Sequence, residues 1–160
     1  MRVLGIDPGI ARCGWAVVEE TKGKLITLAY DCFETESKEE TSKRLQKIHE
    51  EIRRLIKKYS PEEVAVEELF FNTNAKTAFV VGQARGVILL ATAEEKLKNF
   101  TYTPLQVKIA VSGYGRAEKS QVGQMVKTIL GLKEIPKPDD ITDALAVALT
   151  HLFSAKLAKR

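Results

Sequence analysis

Acidic residues interrupt three otherwise apolar stretches of this 160-residue chain. Asp7 ends the short apolar run at residues 3–6, and Glu67 lies in the middle of VAVEELFF. Asp143 lies among aliphatic residues near the start of a helical pattern, with Asp140 three residues earlier on the same helical face. A carboxylate in such a place is costly to desolvate unless a cation meets it. Each acid alone also has a structural explanation, as a turn residue before Pro-Gly or as a helix N-cap.

Taken together, the four carboxylates favour a metal site. Two central strands and the start of a helix can bring all four side chains around one point, where like charges repel one another unless a cation is present. The ligands would all be oxygens, with no His or Cys cluster, which favours Mg²⁺ or Mn²⁺. Such a cluster can hold two ions roughly 4 Å apart and stabilise the attacking and leaving oxygens of phosphodiester hydrolysis.

The pattern of apolar residues predicts the elements that would position these acids. Period-2 runs predict strands at residues 3–6, 14–18, 24–35 and 64–71, and a fifth strand that ends near Pro104. Period-3.6 runs predict a helix that ends at Ser60-Pro61, a long helix over 75–97, a helix around 122–130 and a last helix from about Asp139 through Leu152. Three consecutive strands followed by helix–strand alternation predict a mixed α/β sheet with helices on both faces.

Composition indicates a globular chain of one domain, residues 1–160. Apolar residues make up 44% and charged residues 29%, and 25 Lys and Arg against 21 Asp and Glu give a net charge of +4. This mildly basic balance is compatible with a polyanionic partner. Cys13 and Cys32 have neither metal-site spacing nor the pattern of a disulfide framework. We find no leader pattern and no apolar run of membrane length, and expect a cytoplasmic protein with no membrane partner.

Several motifs in order along the chain resemble the RuvC family of bacterial Holliday junction resolvases. They are LGIDPG with Gly14, VAVEELFF, QARG, QVK, GYGRAEKSQV and DDITDALAVALTHL. The resemblance implies a ribonuclease-H-like fold with a five-stranded mixed sheet, a homodimer, and Mg²⁺-dependent nicking of opposed strands in four-way DNA junctions during recombination and repair. It also implies cooperation with a branch-migration helicase. The acidic cluster of the family falls on Asp7, Glu67, Asp140 and Asp143, and some members carry His at the third position.

Phe70 and Phe71 are candidates for contact with DNA. Consecutive strand residues face opposite sides of a sheet, so we expect at least one of them to lie outside the core. An exposed aromatic ring beside a nuclease site can stack on an unpaired base. The resemblance implies an aromatic residue at the Phe70 position that acts at the junction centre. The alternative is that both rings belong to the core.

Basic residues around the SGYG loop are the second group of candidates. Lys108, Arg116 and Lys119 lie in or beside a segment whose glycines permit close approach of the backbone to DNA. They can neutralise phosphates near the acidic site. The resemblance implies functional lysines at Lys108 and Lys119, whereas solvated surface lysines are the ordinary alternative. Arg85, within QARG, fits either a phosphate contact or a helix surface.

The long helix carries small and apolar residues at every fourth position: Ala78, Gly82, Gly86 and Leu90. Two glycines inside a helix cost about 1 kcal/mol each relative to alanine, so they need a reason. Close approach of the same helix from a second copy is one reason, and tight packing on the helix's own sheet is the other. His49 and His151 lie in amphipathic helices, and we interpret both as structural or surface residues.

Three other functions share parts of this pattern. A strand-Asp-x-Gly loop also holds phosphate in actin-like ATPases and sugar kinases, but those proteins need two lobes to enclose a nucleotide. A related nuclease acting on structured RNA would share the fold and the acids. A catalytically silent nucleic-acid-binding module would not need all four acids.

Overall fold

The computed structural model describes residues 1–68 and 75–158. Within these residues the chain forms five strands and five helices. The strands are β1 (Arg2–Asp7), β2 (Arg12–Thr21), β3 (Lys24–Glu34), β4 (Glu63–Glu67) and β5 (Lys98–Tyr102). The helices are α1 (Thr41–Tyr59), α2 (Ala75–Glu94), α3 (Pro104–Ser112), α4 (Lys119–Leu130) and α5 (Asp139–Ala158).

The strands form one mixed sheet in the order β3-β2-β1-β4-β5. The first three strands are antiparallel neighbours, while β4 pairs in parallel with β1 and β5 pairs in parallel with β4. The prediction of a meander followed by helix–strand alternation is therefore confirmed. Because β1 and β4 are parallel and central, their carboxyl ends, Asp7 and Glu67, lie at the same edge of the sheet.

Helices cover both faces of the sheet, as the sequence predicts. One core lies between the sheet and α3, α4 and α5, and contains Val3. The other lies between the sheet and α1 and α2, and contains Leu4 and Ile6. This alternation along β1 places Asp7 on the face of Val3 and Gly5, which is the face that α5 covers.

The predicted fifth strand, which ends near Pro104, is confirmed as β5, but the sequence analysis does not predict the helix that follows it. The segment TYTPLQVKIAVSG supplies the end of β5, but Pro104–Ser112 is helix α3. Local capping explains the helix: the Thr103 hydroxyl accepts a hydrogen bond from the Gln106 amide, the Gln106 side chain accepts one from the Thr103 amide, and Pro104 occupies the first turn. The predicted fourth strand, residues 64–71, is too long, because β4 ends at Glu67 and Glu68 already lies outside it. Phe70 and Phe71 lie outside the described residues.

Helix α5 is the only described helix long and apolar enough to cross a membrane by length and composition. Its side chains from Ala144 to Leu152 are buried in the domain, largely against β1 and β2. The apolar character of α5 is therefore that of a core helix.

Candidate active site

The four predicted acids meet where the central strands end and α5 begins. Asp7 is the last residue of β1 and Glu67 is the last residue of β4, one position beyond the pair Ile6–Val66. Asp140 and Asp143 lie in the first two turns of α5. The structure brings all four together, because the electrostatic neighbours of Asp7 are Glu67, Asp143 and Asp140.

Two glycines let α5 lie directly on the sheet. Gly14 pairs with Asp7 in the β1–β2 ladder, and a Cβ atom built on Gly14 would lie 2.0 Å from the Asp140 carbonyl oxygen. A Cβ atom on Gly5 would lie 2.3 Å from the carbonyl oxygen of Ala144. The backbone of α5 therefore contacts the sheet at Gly5 and Gly14, where no side chain fits. This close contact places Asp140 and Asp143 beside Asp7. The sequence signal for this contact is a glycine inside each of two apolar strands.

Burial and mutual repulsion oppose ionisation of the inner pair of acids. Burial first, and then the charges of Glu67 and Asp143, raise the pKa of Asp7 to about 9. Burial and the charge of Asp143 raise the pKa of Glu67 to about 7, although its hydrogen bond with Asp7 acts in the opposite direction. Both shifts favour the protonated form of the two carboxyl groups when no metal cation lies between them.

The outer pair of acids is held by two cationic side chains. The Lys119 ammonium, at the start of α4, lies 2.9 Å from the Asp143 carboxylate. Burial raises the pKa of Asp143, and the Lys119 interaction works against that rise. Partial burial lowers the pKa of Lys119, but the Asp143 hydrogen bond and charge outweigh it and raise the value. On the other side, the Arg12 guanidinium lies 3.5 Å from the Asp140 carboxylate and donates to Glu34 at 2.9 Å.

The donor set fits a hard divalent cation by its chemistry, since all four side chains offer carboxylate oxygens. In the positions they occupy, no three acidic, His or Cys side chains of residues 1–68 and 75–158 converge closely enough to hold an ion. The contacts explain this, because Asp143 faces Lys119 and Asp140 faces Arg12. If the four acids hold a metal ion, Asp7 and Glu67 would have to be ionised and the two outer carboxylates would have to turn away from Lys119 and Arg12.

Of the three predicted DNA-binding cations, only Lys119 contacts an acid of the cluster in the described part of the chain. Lys108 is half-buried on α3, and Arg116 is exposed in the loop before α4. Arg85 donates to the Thr101 hydroxyl at 2.9 Å, which ties α2 to β5 and favours the structural interpretation. Arg12 was not predicted by the sequence reasoning. Its only sequence signal is a basic residue shortly after the DPG turn.

The two histidines form side-chain contacts between elements. His151 is buried, with its Nε2 atom 2.6 Å from the Glu63 carboxylate and its Nδ1 atom 2.8 Å from the Tyr102 hydroxyl. It joins α5 to β4 and β5. His49 pairs with Glu94 at 2.9 Å and joins α1 to α2. These contacts agree with the interpretation of both residues as structural.

Comparisons with known proteins agree with this geometry. The family profile described as "Crossover junction endodeoxyribonuclease RuvC" matches residues 3–151. Proteins of that name from Halothermothrix orenii and Moorella thermoacetica are 53% and 54% identical over 160 residues, which is all of this chain and 97% and 96% of theirs. The structure of Thermus thermophilus RuvC in complex with Holliday junction substrate matches with a TM-score of 0.94 and 42% identity, over 99% of this chain and 96% of that one. The fold is therefore ribonuclease-H-like, and the chain belongs to the RuvC family of crossover junction endodeoxyribonucleases.

Proposed function

We propose that this chain cuts four-way DNA junctions by metal-dependent hydrolysis, with Asp7, Glu67, Asp140 and Asp143 as metal ligands. The convergence of these four carboxylates from β1, β4 and α5 is the observation that carries the proposal. Two Mg²⁺ ions, which Mn²⁺ can replace, would supply activation of the attacking water and stabilisation of the leaving oxygen. The structure of a similar protein with Holliday junction substrate supports the choice of DNA.

The protein's own residues supply the environment for this chemistry. Asp7 and Glu67 lie on the ends of two paired central strands, which hold their positions more rigidly than loops would. Lys119 places a positive charge beside the acids and can contact a phosphate once Asp143 has another cationic partner. We propose Lys108 and Arg116 as further phosphate contacts and Phe70 and Phe71 as rings that stack at the junction centre.

Substitution of the acids tests this function. We expect Asp7→Asn, Glu67→Gln and Asp143→Asn each to abolish nicking of a synthetic four-way junction in Mg²⁺ while junction binding persists, because each change removes a ligand and a negative charge that faces DNA. Asp139→Asn is the matched control. Asp139 is exposed and pairs with Lys137 at 3.1 Å, whereas the Lys119 ammonium is farther from it, at 3.8 Å. We therefore expect Asp139→Asn to have a mild effect on nicking.

The choice of substrate separates this proposal from its alternatives. The protein is incubated with junction, duplex and structured RNA, with Mg²⁺ and with chelator. Preferential nicking of RNA would favour the RNA nuclease, and binding without metal-dependent nicking would favour the silent binding module. A melting temperature that rises with added nucleotide would favour the ATPase-like domain. Wild-type rates in any of the three acid variants would refute the assignment of the ligands.

We propose that residues 1–160 act as one nuclease domain within a homodimer. A four-way junction offers two equivalent strands, whereas the described residues form one acidic cluster, so two sites related by a two-fold axis are needed. The outer face of α2 supports this assembly. Among the described residues, no neighbouring atom lies within 4 Å of a Cβ atom placed on Gly86, and Phe79 and Leu90 are 68% and 55% exposed. At Gly86, tight packing on the helix's own sheet is therefore excluded.

The dimer proposal is tested by Gly86→Leu. We expect a folded monomer that nicks poorly and no longer cuts both strands in one encounter, measured by sedimentation and by the fraction of paired cuts in a supercoiled cruciform. A variant that stays dimeric would exclude α2 as the interface. We also propose a cytoplasmic location and cooperation with a branch-migration helicase, which a pull-down on junction DNA with and without the helicase would test.

A further inference from the structure

Two clefts flank the acidic cluster and share no lining residue. The first, which we call the Lys119 cleft, has a volume of about 310 Å³ and includes Lys119, Lys137 and Asp143. The second, the Arg12 cleft, has a volume of about 490 Å³ and includes Arg12 and Asp140, between the β1–β2 loop and the first turns of α2. Each cleft thus contains one outer acid of the cluster and the cation paired with that acid.

Within the described residues, Arg12 is held in its cleft more closely by Glu34 than by Asp140. Its Nε atom donates to the Glu34 carboxylate at 2.9 Å across the β2–β3 ladder, where the two residues are direct partners. Its Nη1 atom lies 3.5 Å from Asp140, which is the limit of a hydrogen bond, and the side chain is 44% exposed. Glu34 therefore orients the guanidinium of Arg12. The guanidinium N–H groups that do not bond to Glu34 remain available to a ligand in the cleft.

A strand cut at the acidic cluster has to continue away from the cluster in both directions. The phosphates on either side of the scissile phosphate are negative, and the acids would repel them unless a cation lies close by on each side. Lys119 provides such a charge on one side. We propose that Arg12 binds the flanking phosphate on the opposite side of the scissile phosphate from Lys119, and that Glu34 is its positioning residue.

This inference rests on the proposed junction-cutting function. The guanidinium suits the role because its planar set of donors matches two phosphate oxygens at once. In addition, a metal ion bound to Asp140 would balance the charge of that carboxylate in place of Arg12. The competing role is structural: Arg12 would only orient Asp140 and would never contact DNA.

The test combines variants with junctions in which one phosphate is replaced by an uncharged methylphosphonate. Single-turnover nicking is measured against protein concentration, which gives the half-saturating concentration and the maximal rate. For the wild-type protein, we expect one flanking methylphosphonate on the Arg12 side to raise the half-saturating concentration about tenfold. We expect Arg12→Gln to raise it about tenfold on the natural junction, and the same methylphosphonate then to add nothing.

Three further variants sharpen the result. Lys119→Gln should abolish the penalty of a methylphosphonate on the Lys119 side of the scissile phosphate and leave the penalty on the Arg12 side unchanged. Glu34→Gln should reduce the penalty at the Arg12 phosphate, because the guanidinium is less well oriented. Arg54→Gln is the matched control, since Arg54 is an exposed arginine held by a single glutamate, Glu51, on α1. It should leave every penalty at the wild-type value.

Two outcomes would overturn the inference. The first is that Arg12→Gln and every methylphosphonate raise the half-saturating concentration independently, so that their fold-changes multiply. Arg12 then binds none of those phosphates. If Arg12→Gln changes only the Mg²⁺ concentration needed for half-maximal rate, Arg12 serves Asp140 and not DNA. Arg12→Lys, which keeps the charge, should retain part of the methylphosphonate penalty on the Arg12 side. This variant keeps the test decisive if Arg12→Gln does not fold. Failure of the wild-type protein to nick the natural junction would instead refute the proposed function itself.

Discussion

Replacement of Gly14 by alanine should slow nicking severely while the protein remains folded. The added Cβ atom would lie 2.0 Å from the carbonyl oxygen of Asp140, 2.4 Å from its carbonyl carbon and 3.0 Å from its Cβ atom. The two nearest atoms belong to the backbone, so no side-chain rotation relieves the clash. Since Cβ contacts below 3.0 Å are essentially never found, the start of α5 must move away from β2 by at least about 1 Å.

This movement should lower both the free energy of unfolding and the nicking rate. Overpacking of this kind destabilises a protein by about 1–3 kcal/mol, which for a chain of this length lowers the melting temperature by roughly 2–12 °C. A misplacement of about 1 Å in a catalytic group can lower the rate about 10²-fold. We therefore expect Gly14→Ala to remain folded at 25 °C and to nick about 100 times more slowly at saturating protein and Mg²⁺.

Single-turnover nicking and thermal unfolding are measured on the same samples, with Gly123→Ala as the control. A Cβ atom on Gly123 meets only side-chain atoms, of Ile135 and Thr142 at 3.3–3.6 Å, so we expect a rate within a few-fold of wild type. Gly5→Ala, whose Cβ atom would lie 2.3 Å from the Ala144 carbonyl oxygen, should behave like Gly14→Ala. A wild-type rate in Gly14→Ala would refute the argument that this contact places Asp140.

Three further predictions concern other parts of the molecule. Because the pKa of Asp7 is raised to about 9 from 3.8, Asp7 should make the metal-free protein lose stability as pH rises between about 4 and 9, by at most about 1.4 kcal/mol per pH unit, and Asp7→Asn should remove this contribution. Urea unfolding with chelator at pH 5 and pH 8 checks this, and an equal difference between the two proteins at both pH values would contradict it. His151→Ala should destabilise the protein by about 3 kcal/mol, since it leaves Glu63 without its partner, and a melting temperature within 2–4 °C of wild type would show that the contact contributes under about 1 kcal/mol. Phe70→Ala should slow cleavage by the equivalent of about 1–3 kcal/mol with little change in melting temperature, whereas a large drop in melting temperature would place Phe70 in the core.

The sequence predicts the layered sheet well because burial controls it. Alternation along residues 3–6 and the helical spacing up to Tyr59 both follow from which side chains must leave water, and both predictions are confirmed. Helix α3 is not predicted, because there a local hydrogen bond decides the structure. The segment after Tyr102 is rich in β-formers, but the capping box at Thr103 starts a helix there.

The candidate site was predictable in its residue types but not in its packing. Asp7, Glu67 and Asp143 are visible because each interrupts an apolar segment, and Asp140 because it lies three residues before Asp143 on the same helical face. Arg12 was missed, because its role depends on a partner 128 positions away, Asp140, and on pairing across the sheet with Glu34. The contact of Gly14 with α5 was likewise hidden, since a glycine in a strand shows that space is short without showing which element occupies it.

The charges around the cluster explain why a nuclease can keep four acids in one place before DNA arrives. Burial raises the pKa values of the inner pair, Asp7 and Glu67, and the outer pair is balanced by Lys119 and Arg12. If the carboxylates bind metal ions as we propose, Lys119 and Arg12 would lose their present partners. Their charges then face the two clefts through which a cut strand would pass. The side chains that balance the outer acids would thereby become contacts for phosphate, so metal and DNA should bind cooperatively. Junction affinity should accordingly rise with Mg²⁺ in a variant that cannot cut, and this rise should shrink when Lys119 or Arg12 is neutralised.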